Sequence, residues 1–310
     1  MVKRKWRCVS SFFFVLSALL AAAPADDWGQ LAARRESLYN TIFVYQKDSV
    51  VTLRFGRRAA VPIQTQVDLD NLRRHQLEYT KLIYASLLYV PEPNSILVLG
   101  LGGGVIPRDF RLYFPKARID VVEIDEAIPP LAKQYFAFAE DETLKVYVDD
   151  GRMFIKKRLR SANPPQYDLI VLDAFNGDYI PFHLMTREFL QEVKGILSPT
   201  GVVAANVFYD NQLFDAEWVT FLDVFDRCDV FLGRVSGNAI LVSAGPDVSV
   251  LRGPSFLERA RQLQERHKFA FSLPAIARYL RPDLHPDPQA RVLTDDRAPV
   301  DYLRQQQRRD

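Results

Sequence analysis

Cysteine, methionine and histidine are scarce in this chain: two, three and four residues among 310. The two cysteines, Cys8 and Cys228, lie far apart, and Cys8 falls in an apolar N-terminal run. Processing of that run leaves Cys228 alone, so no intramolecular disulfide is expected. Four scattered histidines and one remaining thiol give no metal-ligand spacing, so no metal is expected. Charge of one sign is not in excess: 40 basic residues face 38 acidic ones, a formal net charge of +2. That balance supplies no electrostatic case for a nucleic-acid partner. Internal repeats and low-complexity segments are missing too. The composition, 48% hydrophobic and 25% charged, is that of a globular chain with one large domain or one domain plus a small one.

The N-terminus carries a three-part pattern. Basic "MVKRKWR" precedes the apolar run "VSSFFFVLSALLAAA", and "APA" ends at Ala25 before "DDWG". The run is short for a membrane span and reads as a secretory signal peptide over residues 1–25. The expected location is therefore outside the cytoplasm, periplasmic or secreted, without stable membrane insertion after processing. An uncleaved anchor or a misplaced start site is the alternative for the segment, and the cytoplasm is the alternative location.

Residues 37–66 are rich in Tyr, Val, Ile and Thr, with turn signals at "QKDS" and "FGRR", and predict two to four short antiparallel strands. Residues 68–90 place Leu77, Ile83, Ala85 and Leu88 near one helical face, closed by Pro91, and predict a helix. An alternation then begins. "SILVLG", "RIDVVEID", "LKVYVDDG", "YDLIVLDAF" and "GVVAANVF" are short continuous apolar runs, interleaved with helical segments. Such runs are strands buried on both faces, so the expected fold is α/β, a doubly wound, mostly parallel sheet. "CDVFLGR" and "NAILVSAG" predict a closing hairpin. The expected division is an N-terminal β-domain with a linking helix over 26–80, a Rossmann-like domain over 81–245, and a C-terminal extension over 246–310 that covers it.

In such a sheet ligands bind at the carboxyl ends of the strands. The first strand ends in Gly100, Gly102, Gly103 and Gly104, where a ligand can approach the backbone at a helix entrance. No Lys-Ser or Lys-Thr follows these glycines, which excludes a Walker-type phosphate loop. Glu123 ends the second strand, where an acid commonly hydrogen-bonds ribose hydroxyls. Asp150 ends the third and can accept from an exocyclic amine such as adenine's, and Asp173 ends the fourth at the centre of the cleft. These acids suit a cationic adenosyl-type ligand better than a pyrophosphate, which carboxylates repel. A nicotinamide dinucleotide stays open, and each acid has an alternative as a helix or turn cap. Asp125 reads as a surface or capping residue.

Taken together, "SLYNTIFV", "PIQTQ", "LEYTKL", "ILVLGLGGG", "VVEID", "DDGRMFI", "YDLIVLDAF", "IPFHLMTREFL" and "ILSPTGVVAANVF" resemble the spermidine synthase (polyamine aminopropyltransferase) family. The resemblance runs from about Ser37 to Phe208. It implies a seven-stranded class I methyltransferase sheet with a small N-terminal β-domain. It also implies aminopropyl transfer from decarboxylated S-adenosylmethionine to a small amine such as putrescine, and a homodimer. By resemblance Asp173 is the base, with Tyr79 beside it. Glu123 binds ribose, Asp150 with Gly151 the adenine side, and Gln64 the cofactor tail. Three family features are absent: Val105 replaces the loop Asp, "EYTK" replaces Tyr-His-Glu, and Asn176 replaces an acid after the fourth strand, with Asp178 two residues on. These departures keep two alternatives open: an S-adenosylmethionine-dependent methyltransferase, or an exported non-catalytic polyamine- or nucleoside-binding protein. "VLTDDRAPVD", residues 292–301, recurs in spermidine synthase-like chains, so Asp295 and Asp296 are candidates to reach the site. A chain-capping turn is the alternative.

Overall fold

The computed structural model describes residues 28–56, 63–175, 180–249 and 251–296. Residues 1–25, read above as a signal peptide, lie outside the described residues, as do Asn176, Asp178 and residues 297–310.

Four strands open the chain: β1 (Gln30–Glu36), β2 (Thr41–Lys47), β3 (Val50–Phe55) and β4 (Thr65–Asp68). They pair antiparallel in that order. β1 precedes the segment expected to hold the strands; Ser37 starts the turn after it, its Oγ accepting from the amides of Tyr39 and Asn40.

The helix expected over 68–90 is mostly replaced. Only α1 (Glu78–Leu82) and a 3-10 turn over Ile83–Leu88 are helical. Residues 69–77 are drawn into tertiary contacts instead. Asp68 accepts from the Asp70 amide, and His75 is buried 2.9 Å from Asp109. Arg108 donates to the Leu72 carbonyl. These contacts hold the segment in a loop against its apolar periodicity.

The alternation of strand and helix then appears as read, with α6 added to it. β5 (Ser95–Leu99), α2 (Val105–Tyr113), β6 (Arg118–Glu123), α3 (Ile128–Tyr135), β7 (Leu144–Val148), α4 (Gly151–Leu159) and β8 (Tyr167–Leu172) come first. They are followed by α5 (Arg187–Gly195), β9 (Leu197–Phe208), α6 (Phe214–Phe225), β10 (Asp229–Leu232) and β11 (Asn238–Ala244). The sheet has seven strands in the order β10-β11-β9-β8-β5-β6-β7. β11 is antiparallel to both neighbours, whereas β5 to β9 run parallel. The order reverses beside β5, between β6 and β8, so the crevice of the switch point opens at the end of β5.

Each face of the sheet buries its own apolar cluster. Ile96, Val98, Val171 and Ala204 face one side, and Leu97, Leu99, Ile170 and Val203 the other. This is the pattern a strand buried on both faces requires. The segment after β11 does more than cover the domain. α7 (Gly253–His267) and α8 (Leu273–Ala277) place Phe256, Leu263 and Leu273 in the first cluster, and Phe269 and Phe271 stack beside Tyr84. Among the described residues no helix is long and apolar enough to cross a membrane.

Candidate active site

The parallel register aligns Leu99 with Val122 and Leu172, and Glu123 with Val148, so four strands release their chains along one rim. A cavity of about 350 Å³ lies there, roofed by Gln64, Thr65 and Gln66 at β4. That size is within the usual range for a small-molecule site, roughly 300–1,000 Å³.

The glycines are demanded by close approach. A Cβ on Gly100 would lie 2.3 Å from the Asp173 carbonyl oxygen, at a backbone φ of +98°. One on Gly102 would lie 2.7 Å from Thr65 Oγ1, which also accepts from the Gly103 amide at 2.9 Å. Thus β4 of the small sheet is seated on the loop, and both Gly100 and Gly102 line the cavity. Gly104 does not line it; it enters α2 and packs on Phe138. Gly151, the first residue of α4, lines the cavity against Leu99.

Glu123 is buried at the end of β6, and its carboxylate accepts from the amides of Leu101 and Asp125, each at 3.0 Å. Burial pushes its pKa up from the ordinary value, while those amides and that of Gly102 oppose the rise. Asp125 caps the next turn through the Ala127 amide, as read, but it is buried rather than superficial. It accepts from Ser37 Oγ at 2.5 Å. Asp150 is a helix cap, one of its two expected characters, and it also lines the cavity. One oxygen caps α4 through the Met153 amide at 2.8 Å, and the other meets His183 Nε2 at 3.0 Å. The His183 contact, with the cap, holds its carboxyl below the ordinary range.

Asp173 follows β8 and stands opposite these groups. Asn206 Nδ2 donates to its Oδ1 at 2.8 Å, and Asn238 Nδ2 donates to Asn206 Oδ1 at 2.9 Å. Tyr79, on the first turn of α1, directs its hydroxyl at the same carboxylate and lies 3.3 Å from the Gln64 carbonyl. α1 is fixed one residue earlier, where Glu78 accepts from the amides of Arg234, Val235 and Ser236 in the β10–β11 turn. Loss of hydration pushes the Asp173 pKa up to about 7, against the opposing bonds from Asn206 and Tyr79. A carboxyl poised near neutrality can take up a proton and release it again at physiological pH.

Of the residues expected at the site, Gln64, Tyr79, Gly100, Gly102, Glu123, Asp150, Gly151 and Asp173 line this one cavity, and Gly103 and Gly104 do not. Asp295 and Asp296 do not line it; Asp295 pairs with Arg152 behind the wall. Sequence reasoning missed Asn206, Asn238, His183 and Thr65. A lone Asn inside the apolar strand "VVAANVF" was the available signal, because a buried amide needs a partner. The lining holds four carboxylates, Glu123, Asp125, Asp150 and Asp173, and no Lys or Arg among the described residues. That balance favours a cationic occupant. Among the described residues no group of three or more His, Cys, Asp or Glu could hold a metal ion.

Comparison with known proteins agrees with this geometry. The spermine/spermidine synthase domain profile matches residues 77–234. The chain is 34% identical over 294 residues to the polyamine aminopropyltransferase of Vibrio vulnificus strain CMCP6, spanning 94% of this chain and 97% of that protein. A probable spermidine synthase from Corynebacterium glutamicum superimposes with a TM-score of 0.66 at 20% identity, over 87% of this chain and 99% of that one. Human methyltransferase-like protein 13, solved with SAH, superimposes with a TM-score of 0.58 at 29% identity, over 69% of this chain and 97% of its own. The seven-stranded sheet is thus of the class I methyltransferase kind, and the chain is a transferase belonging to the spermine/spermidine synthase family.

Proposed function

We propose that the protein transfers an aminopropyl group from decarboxylated S-adenosylmethionine to a small amine such as putrescine. The observation that carries this reading is the Asp173 carboxyl, with a pKa of about 7, beside Tyr79 and Asn206 in a cavity lined by acids. An ammonium has no lone pair, so the acceptor must lose a proton before it attacks. Asp173 takes that proton, and Tyr79 and Asn206 hold the carboxylate in position. Bound decarboxylated S-adenosylmethionine supplies a methylene carbon beside a sulfonium: the amine lone pair forms the N–C bond, and the C–S pair leaves with methylthioadenosine. Glu123 binds the ribose, Asp150 with Gly151 the adenine, and Gln64 the aminopropyl tail, while Gly100 and Gly102 admit the nucleoside close to the loop. The surrounding carboxylates also offset the repulsion between two cationic reactants.

Methyl transfer from S-adenosylmethionine is the second reading. Val105 favours it, because an apolar side chain lines the cavity where the family carries an Asp. Calorimetric titration with both cofactors separates the two. Tighter binding of the decarboxylated form supports aminopropyl transfer; tighter binding of the intact form replaces it with methyl transfer.

A further inference from the structure

Arg152 lies two residues beyond Asp150 on the first turn of α4, and only 8% of it is exposed. Its guanidinium is saturated by two carboxylates. Nε and Nη2 donate to Glu192 at 2.9 Å each, and Nη1 and Nη2 donate to Asp295 at 2.8 and 2.7 Å. Nη1 also reaches the His183 carbonyl at 3.3 Å. Asp295 accepts from Thr186 Oγ1 at 2.7 Å as well, and Thr186 is the fully buried cap of α5. One carboxylate thus grips the 183–186 turn from both sides.

That turn is a wall of the cavity. His183 and Leu184 line it, and His183 holds the second oxygen of Asp150. The segment carrying Asp295 is itself anchored. Leu293 is buried, its amide donates to Thr220 Oγ1 at 2.9 Å, and its carbonyl accepts from the Arg187 amide at 2.8 Å. The Asp295 amide donates to Glu188 at 2.9 Å.

We propose that Asp295 is a positioning residue for the nucleoside end of the cavity, acting through Arg152 and Thr186 on the His183–Asp150 pair. This inference rests on the reading of the cavity as an adenine-nucleoside site. Glu192 orients Arg152 by two bonds, and Asp295 adds the tie from Arg152 to Thr186 that fixes the two ends of the 183–186 turn relative to each other. Without Asp295 the wall keeps its residues but samples more positions, and the pocket must be ordered when ligand binds. By reciprocity, a bound nucleoside must steady the Asp295 segment.

The test compares wild-type protein, Asp295→Ala and Asp295→Glu, well below their unfolding temperatures. Methylthioadenosine is the probe. Asp295→Ala is expected to weaken its binding about tenfold, with the rate at saturating co-substrate held within about twofold, and Asp295→Glu to recover most of the loss. Methylthioadenosine should also slow amide hydrogen exchange at Leu293 and Asp295 in the wild type. An Asp295→Ala variant that unfolds at lower temperature but binds the probe like wild type overturns the inference and leaves Asp295 as a fastener of the chain. Wild-type protein that binds no adenine nucleoside overturns the nucleoside reading itself, and this inference with it.

Discussion

Asp173→Asn changes one heavy atom of the site and removes its charge. The amide preserves the shape: its oxygen still accepts from Asn206, and its nitrogen can donate to the Tyr79 oxygen. The magnitude follows from the carboxyl's environment. Burial raises its pKa from 3.8 to about 7. That is about three units, each about 1.4 kcal/mol, so ionised Asp173 costs the fold roughly 4 kcal/mol. The folded state holds the proton more tightly than the unfolded chain. Its stabilising contribution is therefore fully present below about pH 4 and lost as pH rises through about 7. Between pH 5 and pH 8 the wild type loses roughly 2–3 kcal/mol from this group, and the variant loses none of it. Thermal unfolding of both proteins at both pH values reads the difference, because other titrations cancel. The variant should gain about 5 °C on the wild type from pH 5 to pH 8. Its turnover should fall about 10²–10⁴-fold, with methylthioadenosine binding retained. Identical pH dependence in the two proteins would refute the raised pKa, and turnover at the wild-type rate in the Asp173→Asn variant would refute Asp173 as the base.

Neighbouring contacts carry three further predictions. The kcat/KM of the wild type should rise with pH through about 7, because Asp173 must be ionised; the kcat limb should lie lower, since bound cations favour the carboxylate. Asn206→Ala leaves Asp173 and Asn238 each short of a partner, so stability should fall by about 1–3 kcal/mol and the acidic limb should move upward in a pH–rate profile. Gly100→Ala drives a methyl into the Asp173 carbonyl, and the soluble yield or unfolding midpoint should show a loss exceeding about 3 kcal/mol.

Much of the site was written along the strands. A strand buried on both faces is continuously apolar, so the acids at Glu123 and Asp173 mark strand ends; β7 is a half-exposed edge strand, and Asp150 was legible instead as the acid just before a helix; parallel strands bring these ends together. Gly100 and Gly102 were legible as points of close approach. The approaching groups, the Asp173 carbonyl and Thr65, were not, because they come from distant segments. α6 was missed: "FDAEWVTFLDVF" is apolar nearly all round, and the periodicity that signals a surface helix fades in a buried one. The expected helix over 68–90 failed for the opposite reason: its spacing was helical, but His75 packs 2.9 Å from Asp109 of α2 and the Leu72 carbonyl accepts from Arg108 of α2. His183 gives no local signal for its place at the site, since its bonds to Arg152 and Asp150 join residues distant in sequence.

The product formed tests aminopropyl transfer most directly. Purified protein incubated with decarboxylated S-adenosylmethionine and putrescine, followed by mass spectrometry, should yield spermidine and methylthioadenosine in equal amounts, with neither product accumulating in the Asp173→Asn variant. Release of S-adenosylhomocysteine from S-adenosylmethionine, with no methylthioadenosine under any amine, would contradict aminopropyl transfer and assign the cavity to methyl transfer.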